Sequence, residues 1–355
     1  MRRMKEIIVK MKALIRYGWG ENELELRDIP EPFPQADEVK VKVKATGICG
    51  TDLYGYSAVK PPVVLGHETA GVVVEVGKRV KDIQPGDRVT TETTAYVCGK
   101  CRYCFHKEYN LCSYRKGLGS AVNGAFAEYF VIRRESIRRI PDWLDFTSAS
   151  LFELLSCATH AVMERASLQK DEISVILGPG PFGLMIAQVI KAIGAKVIMV
   201  GIKGDEKRLE WAKRIGIDLI FKLEKKDLEQ ETENIVIKER EIDVVFECSG
   251  SKAAVEYGLK ILRKGGRFIQ AGIVQYPVTL NLDQWLFNQE LTLIGTRTQK
   301  PSSWDKALDL VNNRLVEPGK LVSNVLPLSQ WQEGFKKARQ KDSIKVVLQP
   351  DSEFK

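Results

Sequence analysis

The sequence predicts an α/β protein in two parts: a β-rich part and a doubly wound parallel sheet. Two observations carry this. From about Met11 to Pro141, short apolar runs alternate with turn signals. From about Glu172 to Gly295, strand-like runs alternate with helical stretches, the pattern of βαβ units. A third observation sets the scale. The 355 residues suit roughly two domains, and 44% apolar with 28% charged residues describes an ordinary globular chain. That composition excludes a mostly disordered chain, a collagen-like fibre and a disulfide-dense mini-protein.

The elements follow in chain order. The first ten residues precede Met11 and read as a frayed extension. Val39, Val41 and Val43 alternate as in a half-buried strand, Ala70 to Val76 reads as another, and Gln84-Pro85-Gly86-Asp87 is a turn. Ile173–Leu177 reads as a buried strand. It runs directly into Gly178-Pro179-Gly180-Pro181-Phe182-Gly183, then the helical stretch Leu184–Ile193, then a second strand, Lys196–Val200. Strand before and helix after make this G-x-G-x-x-G a dinucleotide-binding loop. Its glycines let the backbone approach a pyrophosphate, whose charge faces the helix N-terminus. Asp243–Glu247 is a further strand, and Cys248-Ser249-Gly250 at its carboxyl end is expected to face the cofactor, with Cys248 itself a packing residue. From Thr296 the pattern turns mixed and ends on the apolar run Ile344–Leu348.

The charge count, 54 basic against 46 acidic residues, leaves a net +8. The signs are interspersed, as in Glu224-Lys225-Lys226-Asp227-Leu228-Glu229, which reads as a solvated surface and not a nucleic-acid patch. No apolar stretch approaches the roughly 20 residues of a membrane helix, and the basic N-terminus lacks a signal-peptide core. The expected location is the cytoplasm, with no nucleic-acid or membrane partner.

Four of the seven cysteines crowd into one window: Cys98, Cys101, Cys104 and Cys112, spaced C-x2-C-x2-C-x7-C. Four thiolates complete a tetrahedral zinc shell with no place for water, so the site is structural. An iron–sulfur cluster is the competing metal reading. Cys49, in Gly47-Ile48-Cys49-Gly50-Thr51-Asp52, and His67, in Gly66-His67-Glu68, are suited to zinc as well. A catalytic zinc needs a third protein ligand and one open position.

Gly66-His67-Glu68-x2-Gly71-x5-Gly77-x2-Val80 fits the signature of the zinc-containing medium-chain alcohol dehydrogenases. The Gly-Ile-Cys-Gly-Thr-Asp run upstream and the four-cysteine lobe downstream follow the same order. The chain resembles that family from Met11 to Pro350, and within it the polyol (sorbitol-type) and threonine dehydrogenases. The resemblance implies a GroES-like catalytic domain, 1–158 and 297–355, around a Rossmann dinucleotide-binding domain, 159–296. It implies one catalytic and one structural zinc, and a dimer or tetramer. By the resemblance Cys49 and His67 ligate the catalytic zinc, and Asp52 accepts a hydrogen bond from the far nitrogen of His67. Thr51 passes the substrate proton outward, and Glu68 is a direct or reserve ligand. For the third ligand, the Glu153 position carries the carboxylate in the polyol and threonine branches, and the Cys157 position the thiolate in simple alcohol dehydrogenases; Glu153 is favoured. Those branches often carry His where this chain has Tyr54. His106 reads as a surface residue and His160 as helical.

At the end of the second strand an NAD enzyme places Asp or Glu on the ribose hydroxyls. This chain has Gly201, Ile202, Lys203 and Gly204. Loss of the carboxylate removes repulsion toward a 2′-phosphate, and Lys203 can pair with one. Gly followed two residues later by a cation resembles the NADP-dependent relatives. Lys207 and Arg208 add positive field, Asp205 and Glu206 oppose it, and NADP is favoured over NAD. The expected reaction moves a hydride between NAD(P) and a secondary alcohol: a polyol, sugar or hydroxy amino acid. Tyr54, Tyr56, Trp285 and Arg297 are candidates for the substrate pocket, the aromatic ones suiting the core or a subunit interface equally well. A zinc-free quinone or enoyl reductase on the same fold leaves Cys49, His67 and the lobe unexplained. A non-enzymatic zinc-lobe protein binding nucleic acid leaves the glycine loop idle.

Overall fold

A computed structural model describes residues 9–18, 20, 23–54, 59–217, 219–223 and 241–353. The expected N-terminal extension falls largely outside these residues. The chain divides into two compact units: Met1–Glu153 with Val322–Arg339 and Lys345–Lys355, and Leu154–Leu321 with Gln340–Ile344.

In the first unit, β1 (Lys10–Arg16) pairs antiparallel with β2 (Leu24–Pro30) and with β4 (Val63–Val64). The larger sheet is built on β3 (Glu38–Gly47), whose Val39, Val41 and Val43 are buried as the alternation predicts. Its antiparallel partners are β5 (Glu68–Val76), β9 (Tyr129–Arg133) and the C-terminal β18 (Lys345–Gln349). β6 (Arg88–Thr91) and β10 (Ile137–Arg139) extend it beyond β5, and β17 (Val322–Pro327) beyond β18. A short ladder of β7 (Thr94–Tyr96) and β8 (Lys116–Gly117) flanks the four-cysteine window. Apolar clusters fill this unit, one around Val41, Val73 and Phe130 and another around Leu14, Leu65 and Phe335.

The register of β3 positions the site. Gly47, at its end, stands opposite Glu68 of β5 on one side and Val347 of β18 on the other. Residues two apart on a strand share a face, so Lys345 projects to the same side as Val347. A side chain at Gly47 would run into the Glu68 carboxylate and come within 3.2 Å of Lys345 Cε.

The second unit holds six parallel strands in the order β13-β12-β11-β14-β15-β16 among the described residues. They are β11 (Ile173–Leu177), β12 (Lys196–Ile202), β13 (Leu219–Leu223), β14 (Ile242–Glu247), β15 (Leu262–Gln270) and β16 (Thr292–Gly295). This is the doubly wound sheet that the alternation predicts. Its strand order reverses between β11 and β14, the point at which open α/β sheets bind ligands beyond the strand carboxyl ends. Val175, Ile198, Val245 and Phe268 are buried in its core.

The second unit also takes in 297–321, which the sequence boundary at 296 leaves to the other domain. The helix Pro301–Asn312 buries Trp304 completely, and the Ser303 carbonyl accepts a hydrogen bond from Thr159 Oγ1 at 2.9 Å. Trp285 belongs to the apolar core beside Leu291, the core alternative that the sequence left open for it.

Candidate functional site

Cys49 follows β3 by two residues and precedes the short helix Gly50–Tyr54, which carries Thr51 and Asp52. His67 immediately precedes β5, which begins at Glu68. Because β3 and β5 pair at Gly47 and Glu68, these two strand ends meet. Ligand-capable atoms of Cys49, His67 and Glu68 all lie within 4.8 Å of one another. A soft sulfur, an imidazole and a carboxylate at that spacing form a donor set suited to zinc.

Glu68 is fully buried, and one of its oxygens, Oε2, has no hydrogen-bond partner among the described residues. Its other oxygen accepts from Lys345 Nζ at 2.6 Å. Lys345, also buried, donates to the Ile48 carbonyl at 2.9 Å. Burial opposes the charge on Lys345, but Glu68, Cys49 and Glu153 outweigh it and hold the ammonium pKa above its ordinary value. A buried carboxylate oxygen left without a donor is costly unless a cation meets it. The residues present therefore fit a metal.

Burial likewise opposes charge on His67, yet Asp52, Cys49 and Glu153 carry its pKa well above the usual value. Asp52 is pushed the other way from an exposed carboxyl: burial raises it, against His67 and the Cys49 backbone. Its Oδ1 lies 3.7 Å from His67 Nδ1, an ion-pair distance and not the hydrogen bond expected from the sequence. Its Oδ2 instead accepts the backbone N–H of Cys49 at 2.9 Å, which ties the helix to the cysteine it follows.

Glu153 is buried, and its charge acts on both His67 and Lys345. The Cys157 thiol, one turn beyond Glu153 on the helix Phe152–Thr159, donates to Gln299 Oε1 at 3.4 Å. The Tyr54 side chain and the whole of Tyr56 lie outside the described residues, and Arg297 is exposed. Lys345 escapes sequence reasoning, because it stands 277 positions from Glu68 and only the β3–β18 register joins them.

Cys98, Cys101, Cys104 and Cys112 form the second group. Their sulfurs stand 3.5 Å (Cys101 to Cys104), 3.7 Å (Cys112 to Cys98) and 3.9 Å (Cys98 to Cys104) apart. A tetrahedron of Zn–S bonds near 2.3 Å requires about 3.8 Å. The Lys100 backbone N–H helps pull the Cys98 thiol down to about 6, whereas burial and the adjoining sulfurs push Cys104 up to about 12. His106 caps the helix Arg102–Phe105 and is exposed.

In the second unit, the helix Pro181–Ile193 starts directly after Gly180, with Pro181 at a position that has no backbone donor to lose. Gly178 is left-handed, at φ +108, and stands against Ser249. A side chain at Gly183 would run into the Gly178 carbonyl. The loop after β14 is organised by Glu247, a fully buried carboxylate that sequence reading passed over. It accepts from Ser249 N at 2.7 Å, Gly250 N at 2.9 Å and Gln270 Nε2 at 2.7 Å. Burial and Glu247 push the Cys248 thiol well up, in keeping with a packing role. At the end of β12, Gly201 is buried and Lys203 exposed, while Phe182 and Arg208 are half-buried. Arg208 Nη1 lies 3.9 Å from where a side chain at Gly180 would begin. A cation thus stands beside the glycine loop.

Comparison with known proteins finds relatives over nearly the whole chain. A family model described as the alcohol dehydrogenase GroES-like domain matches residues 35–142, and one described as zinc-binding dehydrogenase matches 181–313. The chain is 40% identical over 344 residues to a sorbitol dehydrogenase of Halalkalibacterium halodurans, covering 96% of this chain and 99% of that one. It is 39% identical over 348 residues to a D-arabitol-phosphate dehydrogenase of Enterococcus avium, covering 97% and 98%. It is 35% identical over 351 residues to an L-threonine 3-dehydrogenase of Bacillus velezensis, covering 96% and 99%. Among solved structures, a zinc-binding dehydrogenase of Sinorhizobium meliloti bound to NADP superposes with TM-score 0.86 at 28% identity, covering 96% and 100%. A dehydrogenase of Escherichia coli CFT073 complexed with NADH gives 0.87 at 26%, covering 96% and 99%.

Proposed function

This chain belongs to the zinc-containing medium-chain alcohol dehydrogenases, NAD(P)-linked oxidoreductases, and we propose that Cys49, His67 and a carboxylate form its catalytic zinc site. The observation that carries this reading is the mutual 4.8 Å spacing of Cys49, His67 and Glu68, with Glu68 Oε2 lacking a partner among the described residues. Glu153 is the favoured third ligand on the resemblance to the polyol and threonine branches, and Glu68, with Oε1 held by Lys345 and Oε2 open, is the reserve. The four-cysteine lobe holds a second, structural zinc.

When bound, zinc supplies Lewis acidity that makes a substrate hydroxyl more acidic, and the nicotinamide accepts a hydride. Thr51, half-buried on the helix after Cys49, accepts the hydroxyl proton and passes it outward. Asp52 orients His67 by charge and fixes Cys49 through its backbone N–H. The loop Gly178–Gly183 cradles the pyrophosphate, with Phe182 lining it and Arg208 adding positive charge. Gly201 and Lys203 favour NADP over NAD. The substrate is a polyol, a sugar or a hydroxy amino acid, and the working form is a cytoplasmic homo-oligomer.

The test is absorbance of the reduced nicotinamide. Zinc-replete protein is offered NADP or NAD with pools of polyols, sugars, threonine and simple secondary alcohols. A rise is expected, larger with NADP. Cys49→Ala should bind about one zinc fewer per chain and lose turnover; full turnover in that variant would overturn the assignment.

A further inference from the structure

The turn after β12 receives a residue from far along the chain. Lys341 lies on Gln340–Ile344, a segment that groups with the second unit although the stretches on both sides of it belong to the first. Its Nζ is 3.0 Å from Asp205 Oδ1. The Asp205 side chain is only 10% exposed, and its Oδ2 accepts the Ile202 backbone N–H at 3.1 Å. Two more contacts seat the segment: Lys207 Nζ is 3.3 Å from Asp342 Oδ2, and Arg208 Nη2 donates to the Gln340 carbonyl at 3.5 Å. Gly204, left-handed at φ +93, lies directly beside Lys341: a Cβ there would stand 3.6 Å from Nζ, in ordinary van der Waals contact.

Asp205 lies in the turn four residues past Gly201, close to the strand end at which a dinucleotide site places the acid that holds the ribose hydroxyls. Here both of its oxygens are engaged elsewhere, by a backbone N–H and by an ammonium. Matched in charge and turned inward, it neither grips a ribose hydroxyl nor repels a phosphate. Glu206 in turn lies 3.7 Å from Lys222. Lys203, exposed, has no ion-pair partner among the described residues. The turn therefore presents cations outward while its acids are paired.

We propose that Lys341 is a specificity-determining residue for the cofactor: it neutralises Asp205 and, with Lys203, forms the cationic rim that takes the 2′-phosphate of NADP. The inference rests on the NADP reading above and extends it to a residue outside the nucleotide-binding sequence motif.

The test uses the zinc-replete full chain and two nucleotide fragments, 2′,5′-ADP and 5′-AMP, titrated by calorimetry without substrate. The wild type should bind 2′,5′-ADP at least about tenfold more tightly, the scale of one charge-assisted contact. Lys341→Ala should lose most of that preference with 5′-AMP affinity unchanged, and Lys341→Arg should keep it. Lys341→Ala combined with Asp205→Asn should recover part of it, because the carboxylate that Lys341 neutralised is gone. If Lys341→Ala keeps the full preference while Lys203→Ala loses it, the role of Lys341 is overturned and the NADP reading stands. If the wild type shows no preference, both fall. Thermal unfolding checks that the half-exposed Lys341 is dispensable for folding.

Discussion

Lys345 and Glu68 are buried opposite one another, each with 4% or less of its side chain exposed. Two charges out of water cost more than their attraction returns unless other partners help, and here the Ile48 carbonyl and the metal-ligand set do so. Removing one partner strands the other. Lys345→Met is expected to cost about 3–5 kcal/mol of stability in the zinc-loaded protein. Lys345→Met combined with Glu68→Gln should recover a large part of that loss, read as the thermal midpoint of both variants. Equal midpoints for single and double variants would show that the pair does not act as a unit. Gly47 belongs to the same argument, since the pair passes over a residue with no side chain.

At the scale of elements, the glycine loop and the cysteine lobe are separable devices in separate units. Gly183→Val drives a branched side chain into the Gly178 carbonyl. Nucleotide affinity should fall by at least about tenfold while zinc content stays at the wild-type value, measured by fluorescence titration and metal analysis. Cys104→Ser should do the reverse: about one zinc lost per chain and a lowered thermal midpoint, because a structural zinc contributes directly to folding. These were also the elements most legible in the sequence. A strand, G-x-G-x-x-G and a helix occupy one short stretch, and so do the four cysteines. The pairings that sequence reading missed are long-range. Lys345 reaches Glu68, and Lys341 reaches Asp205, only through chain reversals that no local pattern encodes. Trp285, open between pocket and core in the sequence, falls in the core, because an aromatic residue carries no local mark of which side of a sheet it covers.

For the molecule as a whole, acid stability is expected to depend on Glu164, nearly buried in the second unit. Its carboxylate accepts from Ser302 at 2.7 Å, and from Ser303 and Lys306 at 2.8 Å, and it faces His160 Nδ1 at 2.8 Å. Burial alone would raise its pKa, but these partners together hold it far below the ordinary 4.5. A depressed carboxylate stabilises the fold above its unfolded-state pKa, and that contribution drains away as pH falls. Stability of the wild type should therefore decline from about pH 5 to pH 3 more steeply than that of Glu164→Gln, compared by denaturant unfolding at each pH. Parallel slopes would remove Glu164 from the account. The same residue ties the stretch after 296 to the second unit. It bonds the helix Pro301–Asn312 to the stretch before β11, joining parts of the chain well over a hundred residues apart.

The crowding of Cys98, Cys101, Cys104 and Cys112 also has a practical side. Sulfurs 3.5 to 3.9 Å apart are close enough to bridge once an oxidant is present and no metal holds their electron pairs. Stripped of it in air, neighbouring thiols oxidise to bridges, each costing the protein two hydrogens, or about 2 mass units. Demetallation should thus be reversible under reductant and irreversible in oxygen, so that the handling of the chelated protein, and not its sequence, decides whether it can be reloaded.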